Sequence, residues 1–145
     1  MPLYLQEALT NVFCHICRPP SQIYFCNSYQ DFCAKRLEAG CKSPHPDDDT
    51  YGMCVLFYDE ESGETGVDMF IRMDLDIDGF RKSKQRIKLA QKGFKDSLWT
   101  PERVFEFIFL HELGHVVLKH MKTTSMSENE ADAWALNQMK ERGWL

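Results

Sequence analysis

Two histidines stand four residues apart in the stretch FIFLHELGHVVLKH, which runs from Phe107 to His120. On a helix, residues i and i+4 share a face, so His111 and His115 would project together. Glu112 is turned about 100° around the axis from His111. Two neutral imidazoles suit a zinc ion, and the carboxylate beside them suits a general base that takes a proton from water. The competing reading is a pair of core histidines, which would leave two imidazoles and a glutamate needing buried partners. A metal answers that need more simply. The expected roles are metal ligands for His111 and His115, and catalytic base for Glu112.

Zinc needs a third protein ligand, and His120, Glu128 and Glu130 are the candidates. If the helix continued, His120 would lie about 140° from His115. Leu118 also occupies the place of the glycine in the longer H-E-x-x-H-x-x-G-x-x-H pattern. His120 therefore reads as a helix-end residue near the last carbonyls. The segment SENEADAWAL, from Ser127 to Leu136, reads as a second helix. With Glu128 at the origin of a helical wheel, Asp132 falls near about 40°, Met139 near about 20° and Ala135 near about 340°. Glu130 falls near about 200°, on the solvent side with Glu141. Glu128 is thus the first choice as ligand. Glu130 is the second choice, and otherwise completes a capping box with Ser127. Asp132 is placed to accept the free ring N–H of a ligating histidine and fix its tautomer.

These residues need rigid elements to hold them. Thr100-Pro101-Glu102 has the cap, proline and acid of a helix start. Phe105, Ile108, Phe109, Val116 and Val117 should bury the helix that follows, and the last helix is expected over about 127–142. Upstream, Leu5, Leu9, Val12, Phe13 and Ile16 predict a helix over 3–17, stopped by Pro19-Pro20. SQIYFCNS is a short strand. Tyr29, Phe32, Cys33, Arg36 and Leu37 mark a second helix face, capped by Ser28 with Asp31 and ended at Gly40. CKSPHPDDDTYG reads as a loop. MCVLFY (53–58) reads as a strand buried on both faces, DEESGETG as a hairpin connection, and VDMFIRMD as a half-buried strand. A basic helix is expected over about 79–92. This order predicts an α+β fold, a small antiparallel sheet backed by helices, with 1–145 as a single domain.

The chain has 145 residues, 43% apolar and 27% charged, the balance of a globular protein. The N-terminus lacks the pattern of a signal peptide, and no apolar run reaches the roughly 18 residues of a membrane span. Reduced cysteines in a cytoplasm are the expectation. Cys14 and Cys17 form a C-x-x-C that could join Cys26, Cys33 or Cys41 in a second metal or redox site. A single C-x-x-C lacks a second pair at standard spacing, and small buried thiols are the preferred reading of the cysteines. Net charge is −5, yet Arg81–Lys95 carries seven basic residues and no acid, leaving ten basic against 22 acidic residues elsewhere. That acidity argues against bulk nucleic-acid binding. The basic segment 81–95 reads as a solvated helix face, or as a dock for an acidic partner or for DNA beside a repressor.

FLHELGHVVLKH followed by SENEADAWAL resembles the ImmA/IrrE family of small gluzincin-type metallopeptidases. That family pairs H-E-x-x-H with a helix of the pattern E-x-E-A-(N/D)-x-(F/W)-A. The residues that match are His111, Glu112, His115, Glu128, Glu130, Asp132 and Ala135, within about 105–136. The resemblance implies a zincin-like catalytic domain, a Zn2+ cofactor and cleavage of an intracellular protein, often a helix-turn-helix repressor in mobile-element or stress control. The cysteine-rich N-terminal third matches no part of the pattern. The strand 67–73 is a candidate to pair with an extended substrate as an added strand. A non-catalytic metal-containing binding or sensor module is the alternative from a different functional class.

Overall fold

The computed structural model describes residues 1–81, 89, 91 and 100–144. Its elements run α1 (Leu3–Ile16), β1 (Gln22–Cys26), α2 (Tyr29–Glu38), β2 (Gly52–Asp59), β3 (Glu64–Arg72), α3 (Ile77–Arg81), α4 (Pro101–Val117) and α5 (Ser125–Glu141). The chain is α+β and divides into two compact units, Met1–Asp74 and Leu75–Leu145. No described helix is long and apolar enough to cross a membrane.

The first unit holds the sheet, in the order β1-β3-β2. β2 pairs antiparallel with β3 across the hairpin expected at 59–66, of which only 60–63 lie between the strands, but β1 pairs parallel with β3. The sheet is therefore mixed, not antiparallel. A helix and a long loop separate β1 from β2, so nothing local forces β1 to run against its neighbour. The burial of the two long strands is also the reverse of expectation. β3, expected half-buried, is buried at every residue from Gly66 to Arg72, whereas β2 exposes Leu56 and Tyr58. A central strand is screened by neighbours on both sides, and hydrophobic alternation does not reveal that position. Because β3 is hydrogen-bonded on both sides, it has no free edge for a substrate strand. That expectation is corrected.

α1 buries Leu5, Leu9 and Phe13 on one stripe. The start of α2 is capped as expected, the Ser28 hydroxyl accepting the Asp31 N–H at 3.1 Å. Of its expected face, Leu37 is exposed, while Arg36 is fully buried beside Phe32. Phe32 packs edge-on against Phe70 of β3, with Cys26 in the same cluster. The loop after α2 is pinned by three side chains from two elements, α2 and β3. Tyr29 donates to the Pro46 carbonyl at 2.6 Å, Arg36 reaches Ser43 and His45, and Arg72 donates to the Asp48 and Thr50 carbonyls.

In the second unit, Thr100 caps α4 by accepting the Arg103 N–H at 3.3 Å, with Pro101 in the first turn. Every residue from Val104 to His111 is buried, so α4 is a core helix and not an amphipathic one. Val117, expected to help bury it, is exposed because the helix ends there. α5 begins two residues earlier than expected. Its capping box joins Thr124 and Ser127 rather than Ser127 and Glu130. Gly114 lets the two helices approach closely: a Cβ there would lie 3.1 Å from the Trp134 ring and 3.4 Å from the Ala131 backbone. α3 falls at the start of the basic helix expected over 79–92. Most of the segment 81–95 lies outside the described residues; within it Leu89 is buried and Gln91 is exposed.

Candidate metal centre

The close approach at Gly114 sets α4 beside α5 and brings together side chains that the sequence separates by a turn and a loop. His111 and His115 project from one face of α4, and their Nε2 atoms are 3.2 Å apart. Glu128, in the first turn of α5, reaches both. One carboxylate oxygen is 3.1 Å from His111 Nε2 and the other is 3.0 Å from His115 Nε2. These three residues are, among the described residues, the group able to hold a metal ion. Tetrahedral zinc with bonds of about 2.0–2.1 Å separates its ligand atoms by about 3.3 Å. The observed triangle is close to that size, and its two imidazoles and one carboxylate are a donor set that zinc accepts.

The far sides of both rings are also held. The His111 Nδ1–H donates to Asp132, one turn beyond Glu128, at 2.8 Å. Asp132 is almost completely buried, as its inward angle predicts. His115 Nδ1 meets His120 Nδ1 at 2.9 Å, and His120 Nε2 meets Glu130 at 3.1 Å. Glu130 can only accept when ionised, so His120 donates through Nε2 and must accept at Nδ1. His115 then donates through Nδ1. Without a metal the Nε2–H groups face the Glu128 carboxylate; a metal that displaces those protons would meet two Nε2 lone pairs, each on a ring whose far side ends on a carboxylate.

The helix end explains why His120 is found here. α4 stops at Val117, and Lys119 adopts the left-handed conformation with φ 58°. The His120 N–H then bonds back to the His115 carbonyl at 2.9 Å. This reversal folds His120 over the last turn. The wheel angle for His120 assumed a helix that does not continue. Glu130, the second choice as ligand, serves His120 and stays outside the group of three.

Without a metal the site is strongly coupled. Burial pulls the His111 pKa down, but the hydrogen bonds to Asp132 and Glu128 outweigh it and raise the pKa to about 10. The same bonds from His111 and His115 hold Glu128 far below the usual carboxylate range. A metal arriving here must displace a proton. Glu112 is raised by burial, while His111 and His115 pull it down, so their charges reach it. A carboxylate poised upward in this way is suited to exchanging protons.

No protein-family model matches the chain, and no curated protein or solved structure matches it. The site's chemistry therefore rests on its own geometry.

The cysteines do not assemble a second centre among the described residues. All six are free thiols. Burial, with the neighbouring Cys14, pushes the Cys17 thiol up to about 11, and burial does the same for Cys26. Such thiols are inert packing groups, unlike the activated thiol of a redox C-x-x-C.

Proposed function

We propose that this chain is a zinc-dependent endopeptidase of the ImmA/IrrE type, with a zincin-like catalytic unit. Its proposed substrate is an intracellular protein such as a helix-turn-helix repressor, met in the cytoplasm, where free thiols persist. The observation that carries this reading is the convergence of His111, His115 and Glu128 beside Glu112. A structural zinc site is closed by four protein ligands, whereas this group supplies three. Zinc bound there would polarise the scissile carbonyl and lower the pKa of a water. Glu112 takes the proton from the attacking water and returns it to the leaving amine. Asp132, and Glu130 through His120, keep the imidazoles in the tautomer that presents Nε2.

The second reading is a binding or sensor module that keeps the metal and cuts nothing. The two part at Glu112, because capture of a partner has no use for a proton carrier there. Glu112→Gln keeps the shape of the side chain and removes its basicity, which typically costs about 10²–10⁴-fold in rate. Wild-type protein incubated with a repressor encoded beside it should make a discrete cut, lost both in Glu112→Gln and on chelation. A partner bound at full zinc occupancy yet recovered whole would establish the binding module instead.

A further inference from the structure

Arg36 is a buried charge that the metal centre does not use. It is fully buried on α2, where its guanidinium meets His45 Nδ1 at 2.9 Å, Ser43 Oγ at 2.8 Å and Cys41 Sγ at 3.1 Å. No carboxylate pairs with it among the described residues, and its Nε has no partner. A guanidinium stays protonated, and a buried charge without an opposite charge is strongly unfavourable. Of its three side-chain partners, only Cys41 can become an anion at ordinary pH. Ser43 Oγ lies 3.3 Å from the same sulfur. Burial acts to raise the Cys41 pKa, but the Ser43 hydrogen bonds and the Arg36 charge outweigh it and bring it below the usual thiol value. Cys17 and Cys26 move in the opposite direction.

The thiol is half-buried and opens on a cavity of about 310 Å³. Val55, Phe57 and Phe70 make apolar walls, and Asp68 of β3 faces the same space. Asp68 is about nine-tenths buried and has no partner among the described residues. An unpaired carboxylate at an apolar wall calls for a cation of suitable size. The charged or titratable groups around the thiol are Arg36 on α2, Lys42 and His45 on its own loop, and Asp68 across the cavity.

We propose that Cys41 is a thiol-exchange site for a small amine-bearing disulfide, whose ammonium group is received by Asp68. The Cys41 thiolate attacks one sulfur of the disulfide, the old S–S bond breaks, and a new one forms to Cys41. The other half leaves as a thiolate and takes a proton from water. The Cys41 sulfur is oxidised and the departing sulfur is reduced, so the disulfide is the only oxidant required. This site belongs to the first compact unit and is independent of the peptidase reading.

The test exposes the full chain at pH 7.5 to cystamine, which carries two ammonium groups, or to the neutral bis(2-hydroxyethyl) disulfide. Peptide mass spectrometry follows Cys41, with the exposed Cys14 as reference in the same molecule. Cys41 should react with cystamine about tenfold faster than Cys14, the scale expected of a thiol whose thiolate is stabilised. Its advantage over Cys14 should shrink severalfold with the neutral reagent. Asp68→Asn should erase the preference for cystamine. Ser43→Ala, at an exposed loop position, and Arg36→Lys should slow Cys41 with both reagents; the first keeps the test decisive if the second fails to fold. Cys41 reacting no faster than Cys14, or a cystamine preference unchanged in Asp68→Asn, would overturn the proposal.

Discussion

The two metal-facing imidazoles are held alike on one side and differently on the other. Both meet Glu128 through Nε2, but His111 rests directly on Asp132 while His115 reaches Glu130 through His120. The substitutions that follow from this should rank. Glu128→Gln removes a ligand and should abolish tight zinc binding in a chelator competition. Asp132→Asn leaves the ligands in place and should weaken zinc by about 10–100-fold, the usual cost of losing such a partner. Glu130→Gln should cost less, because His120 still contacts His115. Glu130 ranking above Glu128 would mean that the wrong carboxylate has been assigned. Glu128 and Asp132 were legible in the sequence because their angles fall among Ala135 and Met139, which are buried. His120 was not legible, because a left-handed residue at Lys119 is not signalled by a glycine. Arg36 was placed on its helix face by spacing, but its burial without a carboxylate was not legible, because its partners Cys41, Ser43 and His45 come from the loop that follows.

Asp68 gives a pH-dependent prediction at the same scale. Burial raises its folded pKa to about 6, above the unfolded value of about 3.9. Between those values the folded chain holds a proton that the unfolded chain has released. Stability therefore falls as pH rises from about 4 to about 6, and the full penalty remains at higher pH. At pH 7.5, Asp68→Asn should stabilise the chain by up to about 3 kcal/mol, following the size of the shift. At pH 4 the gain should vanish. Urea unfolding at both pH values measures this, and an equal effect at both would show that the carboxylate is not desolvated.

At the scale of elements, the crossing of α4 and α5 makes the site possible. Gly114 sits one residue before His115 and against Ala131, which sits one residue before Asp132. The contact that allows the approach thus lies within the motif itself. Gly114→Leu should force the helices apart, costing about 1–3 kcal/mol as overpacking does, and weaken zinc through loss of register between His115 and Glu128. Gly114→Ala is milder, since the gain in helix propensity of about 1 kcal/mol opposes the tight contact. Urea unfolding and chelator competition should move together across this pair. Stability lost with zinc affinity intact would show that the crossing does not position the ligands. Helix starts were readable from Ser28, Thr100 and Pro101 because caps are local chemistry. The parallel pairing of β1 and the burial of β3 were not, because both depend on which distant strand lies alongside.

For the whole molecule, two donor types lie in two compact units: free cysteines that assemble no metal-competent group among the described residues in the first, and the group of two histidines and a glutamate in the second. Zinc accepts either donor type, so the identity of the atoms around it decides which set acts. Their distances differ enough to separate them. X-ray absorption at the zinc edge, on wild-type protein loaded with one equivalent, is the direct measurement. The expected result is a shell of nitrogen and oxygen at about 2.0–2.1 Å with imidazole scattering, disrupted in Glu128→Gln. A sulfur shell at about 2.3 Å, or no zinc retained by the wild type, would contradict it.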